Sequence, residues 1–295
     1  MLFLAALWTA TPAQADFKID VGGLLSGHAL TPVIALPAQR LVAAVSGNDI
    51  SAAFSSEVGI DIAGERSFRL AAPSVPGSYP VHMTSTSGAT KSLQLLVAQP
   101  FDHADHDHID GYRIGHYPSQ SRAPRPGFYA PPSGLIRVDR QDVRVPISEH
   151  FEVGQFLCKQ SAGWPRFLAL QPALVLQLEN AIERLASKGV NANTLAVLSG
   201  YRTPAYNASL GNVRYSRHVY GDAADVYVDT DGDGFMDDLN GDGVVSVADA
   251  RELARLLASL PGADYTGIGV YPATNHHGPF VHVDMRGFKA RWGSW

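Results

Sequence analysis

Cysteine is almost missing from this chain. Cys158 is the single one among 295 residues, which excludes an intrachain disulfide and leaves stability to the core. The lone thiol reads as a buried apolar filler. Positive charge is in short supply too: 23 Lys and Arg stand against 28 Asp and Glu, a formal net charge of -5. That balance gives no basic footprint for nucleic acid, and much of the acidity sits between residues 229 and 249. Long hydrophobic runs are also missing. Beyond residues 1–15 nothing approaches the ~20 apolar residues of a membrane span, so none is expected in the mature chain. What is present is ample material for a core, with hydrophobic residues at 45% and charged residues at 17%. The length suits two domains and a connector.

Residues 1–15, MLFLAALWTATPAQA, are apolar and end in Ala13-Gln14-Ala15. Small residues at that spacing predict removal of a signal peptide after Ala15, although the usual basic n-region is lacking. The expected location is periplasmic or secreted. Residues 16–99 show short apolar or alternating runs at 31–36, 40–45, 67–70 and 92–97, separated by Gly, Ser and Pro clusters and without a helical period. That pattern predicts a small β-sandwich with no chemistry of its own. Residues 100–135 form a connector. Its run Phe101-Asp-His-Ala-Asp-His-Asp-His108 sets imidazoles beside carboxylates, but a flexible run has no preset metal geometry and reads as solvated linker. The aromatic and Pro-rich stretch after Gly111 predicts an ordered crossing packed on the next domain. An α+β domain is expected over 136–295. Pro172 opens a helix with Leu174, Leu178, Ile182 and Leu185 on its apolar face, and residues 194–198 form a short buried strand.

Three side chains in this second region have metal-type chemistry. His218 and Asp225 lie in Ser216-Arg-His218-Val-Tyr-Gly221-Asp-Ala-Ala-Asp225, and His282 lies in the apolar run Phe280-Val-His282-Val-Asp284. Imidazole and carboxylate both suit zinc, and a lone imidazole in an apolar strand is costly without a partner. Gly221, Ala223 and Ala224 are small, as needed where backbones close round an ion. Two His and one carboxylate leave a fourth tetrahedral position for water, which marks a catalytic rather than a closed structural zinc site. Taken singly, a His and an Asp at this spacing read as a paired core histidine; the ordered set of motifs weighs the other way. Asp284 shares the strand face of His282 and is expected to orient that ligand from behind.

The motif order Ser199-Gly-Tyr-Arg202-Thr-Pro-Ala-Tyr-Asn207, Ser216-x-His218-x-x-Gly221-x-Ala223-x-Asp225 and Phe280-Val-His282-Val-Asp284 resembles the zinc D-Ala-D-Ala carboxypeptidase family. That family shares its fold with the vancomycin-resistance dipeptidases and the hedgehog signalling domain, and the motifs look most like those of bacterial murein endopeptidases. The resemblance covers roughly residues 145–295 and leaves the β-rich region aside. It implies a hedgehog/D-Ala-D-Ala peptidase-like domain with His218, Asp225 and His282 as zinc ligands. It also implies peptidoglycan as partner and hydrolysis of a peptide bond in its stems or cross-links. Arg202 would face the substrate, pairing with a carboxylate or steadying an oxyanion, tasks its fixed fork suits; an ordinary buried ion pair is the competing reading.

One departure matters. Many relatives carry an acid three residues before the last metal His as general base, and here Pro279 stands there, with no acidic residue between Thr266 and Val281. The local replacements are His276 and His277, because a near-neutral imidazole is adequate as a base; an exposed His-His loop is the bland alternative. The missing acid motivates a second reading, a non-catalytic, calcium-braced wall-binding module with a structural or vestigial zinc site. A third is a peptidase acting on peptides other than murein. The calcium comes from the insertion at 229–249. Asp238, Asn240, Asp242, the Val244 carbonyl, Ser246 and Asp249 fit positions 1, 3, 5, 7, 9 and 12 of a calcium loop, with Gly243 at position 6. Asp at the last position makes the loop resemble dockerin repeats. Asp229, Asp231, Asp233 and Asp237 form a partial second set, and a helix is expected over 248–260.

Overall fold

Alternating apolar residues in the first part of the chain become strands. They are β1 (Phe17–Val21), β2 (Leu24–Ser26), β3 (Leu30–Ala35), β4 (Arg40–Gly47), β5 (Ala53–Ser55), β6 (Gly59–Gly64), β7 (Ser67–Ala71), β8 (Gly77–Thr84) and β9 (Thr90–Val97). The computed structural model describes residues 17–47, 53–55, 58–64 and 66–295, so the signal-peptide expectation at 1–15 lies outside the described residues. One sheet has the order β2-β1-β4-β7-β6 and the other β3-β9-β8-β5. Phe17, Ile19, Val45 and Leu70 of the first sheet share one apolar cluster with Val33, Val81, Met83, Leu93 and Leu95 of the second. Each such side chain, fully buried, contributes about 1.5–3 kcal/mol relative to exposure.

The connector is built into the fold. Gln99–Pro100 (β10) pairs with Gly134–Val138 (β13), which pairs in turn with Arg166–Leu168 (β14). Between them His108–Ile109 (β11) and Tyr112–Arg113 (β12) form a small antiparallel pair. Ile109, Tyr112 and Ile114 are buried in a second apolar cluster that continues through the C-terminal half. The solvated-linker reading of the His/Asp run therefore needs correcting at one residue. His103 donates from Nε2 to the Pro132 carbonyl and lies between the rings of Phe101 and Tyr117, while its neighbours stay largely exposed. No metal-type group forms from this run among the described residues.

The C-terminal half carries α1 (Pro172–Ala186), β15 (Leu195–Ser199), α2 (Pro204–Ser209), β16 (Ala223–Val228), α3 (Val247–Ala258), β17 (Gly267–Tyr271), β18 (Phe280–Asp284) and β19 (Ala290–Gly293). Helix α1 starts with Pro in its first turn, where the missing N–H is harmless, and buries Leu174, Leu178, Ile182 and Leu185. The five strands are ordered β15-β16-β18-β17-β19. Strand side chains alternate between faces, and here the division is sharp. Ala224, Val226, Ile268, Val270, Val281 and Val283 join Leu253, Ala254 and Leu257 of α3 in the core. The other face is left for chemistry. Among the described residues no helix is long and apolar enough to cross a membrane.

Candidate metal centre

Register alone brings a row of side chains together across the C-terminal sheet. Ser199 lies opposite Asp225, Asp225 opposite His282, His282 opposite Gly269, and Gly269 opposite Trp292. Directly opposed residues share a face, with Cβ atoms roughly 4.5–5.5 Å apart in an antiparallel pair. Asp225 and His282 are thus neighbours because of pairing, not proximity in sequence. His218 arrives from the 3-10 turn Arg217–Tyr220 just before β16. Gly221 ends that turn with φ at +75, and a Cβ there would overlap the Ala169 carbonyl, so only glycine lets the chain turn back under His218.

Three donor atoms converge at the head of this row. His218 Nε2 is 3.1 Å from His282 Nδ1 and 3.2 Å from Asp225 Oδ1, which is 2.8 Å from His282 Nδ1. Four ligands at zinc bond lengths of 2.0–2.1 Å would stand roughly 3.3–3.4 Å apart in a tetrahedron, close to this triangle. Proton placement supports the same conclusion. His218 Nδ1–H donates to the Gly200 carbonyl at 2.7 Å, and His282 Nε2–H donates to Asp284 Oδ2 at 2.9 Å. Both imidazoles therefore aim a lone pair at the same point as a carboxylate oxygen, an arrangement that repels itself without a cation or a proton. The donor set fits zinc.

The charges follow the same geometry. Burial pushes the Asp225 carboxyl up, but the hydrogen bonds and charges of His218 and His282 outweigh it and hold the group well below the usual carboxylate range. Burial lowers His218 against the pull of Asp225. For His282 burial is also the largest influence and lowers the pKa; Asp225 and Asp284 together overcome it and push the ring up to about 9. Around this centre lies a cavity of about 530 Å³, with Arg202, Tyr215, Arg217, Tyr271, Phe280 and Trp292 among its lining.

Residues 149–238 match the profile of the family described as Peptidase M15. M15 peptidases use zinc, so the match supports a metallopeptidase. It covers less than a third of the chain and includes His218 and Asp225; His282 is brought in by strand pairing from beyond it. No curated protein matches the chain.

The other candidate residues fall in different places. Arg202 lines the cavity, and donates from Nε to Ser199 Oγ at 2.8 Å and from Nη2 to Asp225 Oδ2 at 2.6 Å. It holds the metal-type carboxylate by its outer oxygen. Asp284 is fully buried behind His282 and takes Arg286 Nε at 2.7 Å and Nη2 at 2.5 Å. His276 and His277 are not brought to the triad. They line a second cavity with Leu198, Tyr227 and residues 234–236, and His277 packs edge-on against Phe280, which also lines the first. Neither lines the cavity around the triad, so this placement lends the expected base role no support.

In the insertion, Asp229, Asp231 and Asp237 converge as a group, whereas Asp238, Asp242 and Asp249 do not. The physical reason is the start of α3. Asp249 is buried there, and its carboxylate accepts from the backbone N–H of Leu239, Asn240 and Ser246. Asp238 accepts from Gly241, Asp242 and Gly243, Asn240 from Asp242, and Asp242 from Val244, while Ser246 caps the helix. The side chains that the motifs left without a role are Trp292, Tyr271, Arg286 and the Arg217–Asp222 pair. Gly267-x-Gly269 is their visible trace: Gly269 makes room for the Trp292 indole.

Proposed function

We propose that this chain is an exported zinc metallopeptidase that hydrolyses peptide bonds in peptidoglycan stem peptides or cross-links. The observation that carries this reading is the convergence of two imidazole lone pairs and a carboxylate oxygen at the edge of an open cavity. The M15 match over the segment holding two of those ligands supports it. Bound by His218, Asp225 and His282, zinc would supply Lewis-acid polarisation of a carbonyl and activate water near neutral pH. The protein's own part is preorganisation. Gly200 and Asp284 fix the imidazole tautomers, and Arg202 pins the outer oxygen of Asp225, leaving the inner one to the centre. The organisation proposed with it is a β-sandwich module over 16–99, a connector over 100–135 and a peptidase domain over 136–295, placed in the periplasm or secreted.

Purified protein incubated with intact sacculi, with zinc content measured alongside, tests the proposal. Released peptides identified by mass are expected from the unsubstituted protein, and His218→Ala is expected to lose both zinc and activity. Full activity on murein from a metal-free His218→Ala protein would sink the idea. A second reading is favoured by one observation: Asp225 is the sole carboxylate among the residues lining the cavity. Zinc bound without any peptide released would favour the wall-binding module with a structural site. For the insertion we propose calcium on the register Asp238, Asn240, Asp242, Val244, Ser246 and Asp249. Millimolar calcium is then expected to raise the melting temperature, and an Asp238→Asn protein should lose that response. Equal responses of the two proteins would leave Asp249 as a helix cap alone.

A further inference from the structure

We propose that Tyr271 is a catalytic residue, donating its hydroxyl proton in a hydrogen bond to the carbonyl oxygen of the peptide bond being cut. The inference rests on the hydrolase reading above. Tyr271 stands two residues from Gly269 on β17, so it shares the face of the triad row. It lies opposite Phe280 and stacks on that ring, with centroids 4.8 Å apart and planes within 10°. The stack sets the ring; a second contact sets the hydroxyl. Trp292 Nε1–H donates to the Tyr271 oxygen at 2.8 Å. With its oxygen already accepting, the phenol must aim its own proton elsewhere, and no protein acceptor takes it among the described residues. A donor arriving at that oxygen also polarises the O–H bond and makes it the better donor.

The indole that fixes this hydroxyl is itself tied to the metal centre. Its ring lies 5.3 Å from the His282 ring, and it reaches that position by lying over Gly269, where any Cβ would overlap it. Tyr271, Phe280, His282 and Trp292 then form one wall of the cavity. Among the other polar lining groups, Tyr215 donates to the Ser119 carbonyl, Arg217 is bound by Asp222 and the Phe128 carbonyl, and Arg286 is bound by Asp284. A peptide carbonyl gains negative charge as it becomes tetrahedral, and a fixed donor aimed at it strengthens in the transition state more than in the bound substrate.

Tyr271→Phe keeps the ring and the stack and removes only the hydroxyl. The readouts are zinc content, and kcat and KM on a purified cross-linked muropeptide. Zinc content and KM should stay unchanged while kcat falls on the order of 100-fold, the usual cost of one oxyanion donor. Trp292→Phe, which removes the orienting N–H, should lower kcat on the order of 10-fold with KM unchanged. A zinc-loaded Tyr271→Phe protein with kcat within about twofold of the unsubstituted one overturns the role of Tyr271 and leaves the hydrolase reading standing. A Tyr271→Phe protein that loses its zinc also overturns it, by showing that the side chain supports the metal site instead. Zinc-loaded, unsubstituted protein that releases no peptide overturns both.

Discussion

Asp284 shows how much of this centre depends on groups that do not reach the metal position. Burial pushes its carboxyl up, yet the hydrogen bonds from Arg286 and His282 outweigh that and hold it well below the usual carboxylate range. An anion behind His282 raises the basicity of the imidazole, and a neutral amide of the same shape would not. Asp284→Asn is therefore expected to weaken zinc binding roughly 10–100-fold with the fold intact, read by competition with a chromogenic chelator. Unchanged affinity would reduce Asp284 to a packing residue. His218, Asp225 and His282 are legible in the sequence as candidate ligands because their residue types fall in an ordered set of motifs. The parts of Trp292 and Tyr271 are not, because these side chains join the triad row only through strand register. The Arg217–Asp222 pair is hidden for another reason: its two members flank a turn whose direction no local pattern states.

Among the elements, the turn that delivers His218 is the most constrained. Arg217 is buried under the rings of Tyr129 and Tyr220, at 4.8 and 5.0 Å, and donates to both Asp222 and the Phe128 carbonyl. Gly221→Ala would force a left-handed residue, costing about 1–2 kcal/mol, and would add an overlap with the Ala169 carbonyl. A loss above about 2 kcal/mol in chemical denaturation, together with reduced zinc content, is expected. The connector supplies a test by pH. Burial is the main cause that lowers the His103 pKa, against the Pro132 carbonyl and Asp102, and Nδ1 is buried without a partner among the described residues. A folded pKa below the ordinary 6.5 means that the unfolded chain binds the proton more readily. Stability is then present above that value and lost as pH falls through it. His103→Phe should flatten the decline in unfolding free energy between about pH 7 and pH 5; equal slopes for the two proteins would refute the assignment. Elements are legible in the sequence where one period holds throughout, as in α1, and less so in β8, where Pro80 interrupts an otherwise alternating run.

For the whole molecule the decisive element is β9, which is buried on both faces. Leu93, Leu95 and Val97 point into the cluster between the two N-terminal sheets, while Leu96 and the following Ala98 belong to the C-terminal cluster. From sequence alone residues 92–97 read as one strand of a separate module, since an apolar run does not say which body each face will meet. Polar contacts reinforce the join: His28 bonds Asn180 at 3.1 Å and lies 3.2 Å from Glu183, both on α1. Shared burial of this kind couples the unfolding of the two clusters. The protein is therefore expected to melt in one calorimetric transition, and zinc at about 100 times its dissociation constant should stabilise all of it by about 2.7 kcal/mol. Leu96→Ala, with an expected cost of about 2–5 kcal/mol, should split that transition into two, of which zinc shifts only the one that includes the metal-bearing sheet. Two transitions already present in the unsubstituted protein would mean that β9 joins the clusters in space without joining their stabilities.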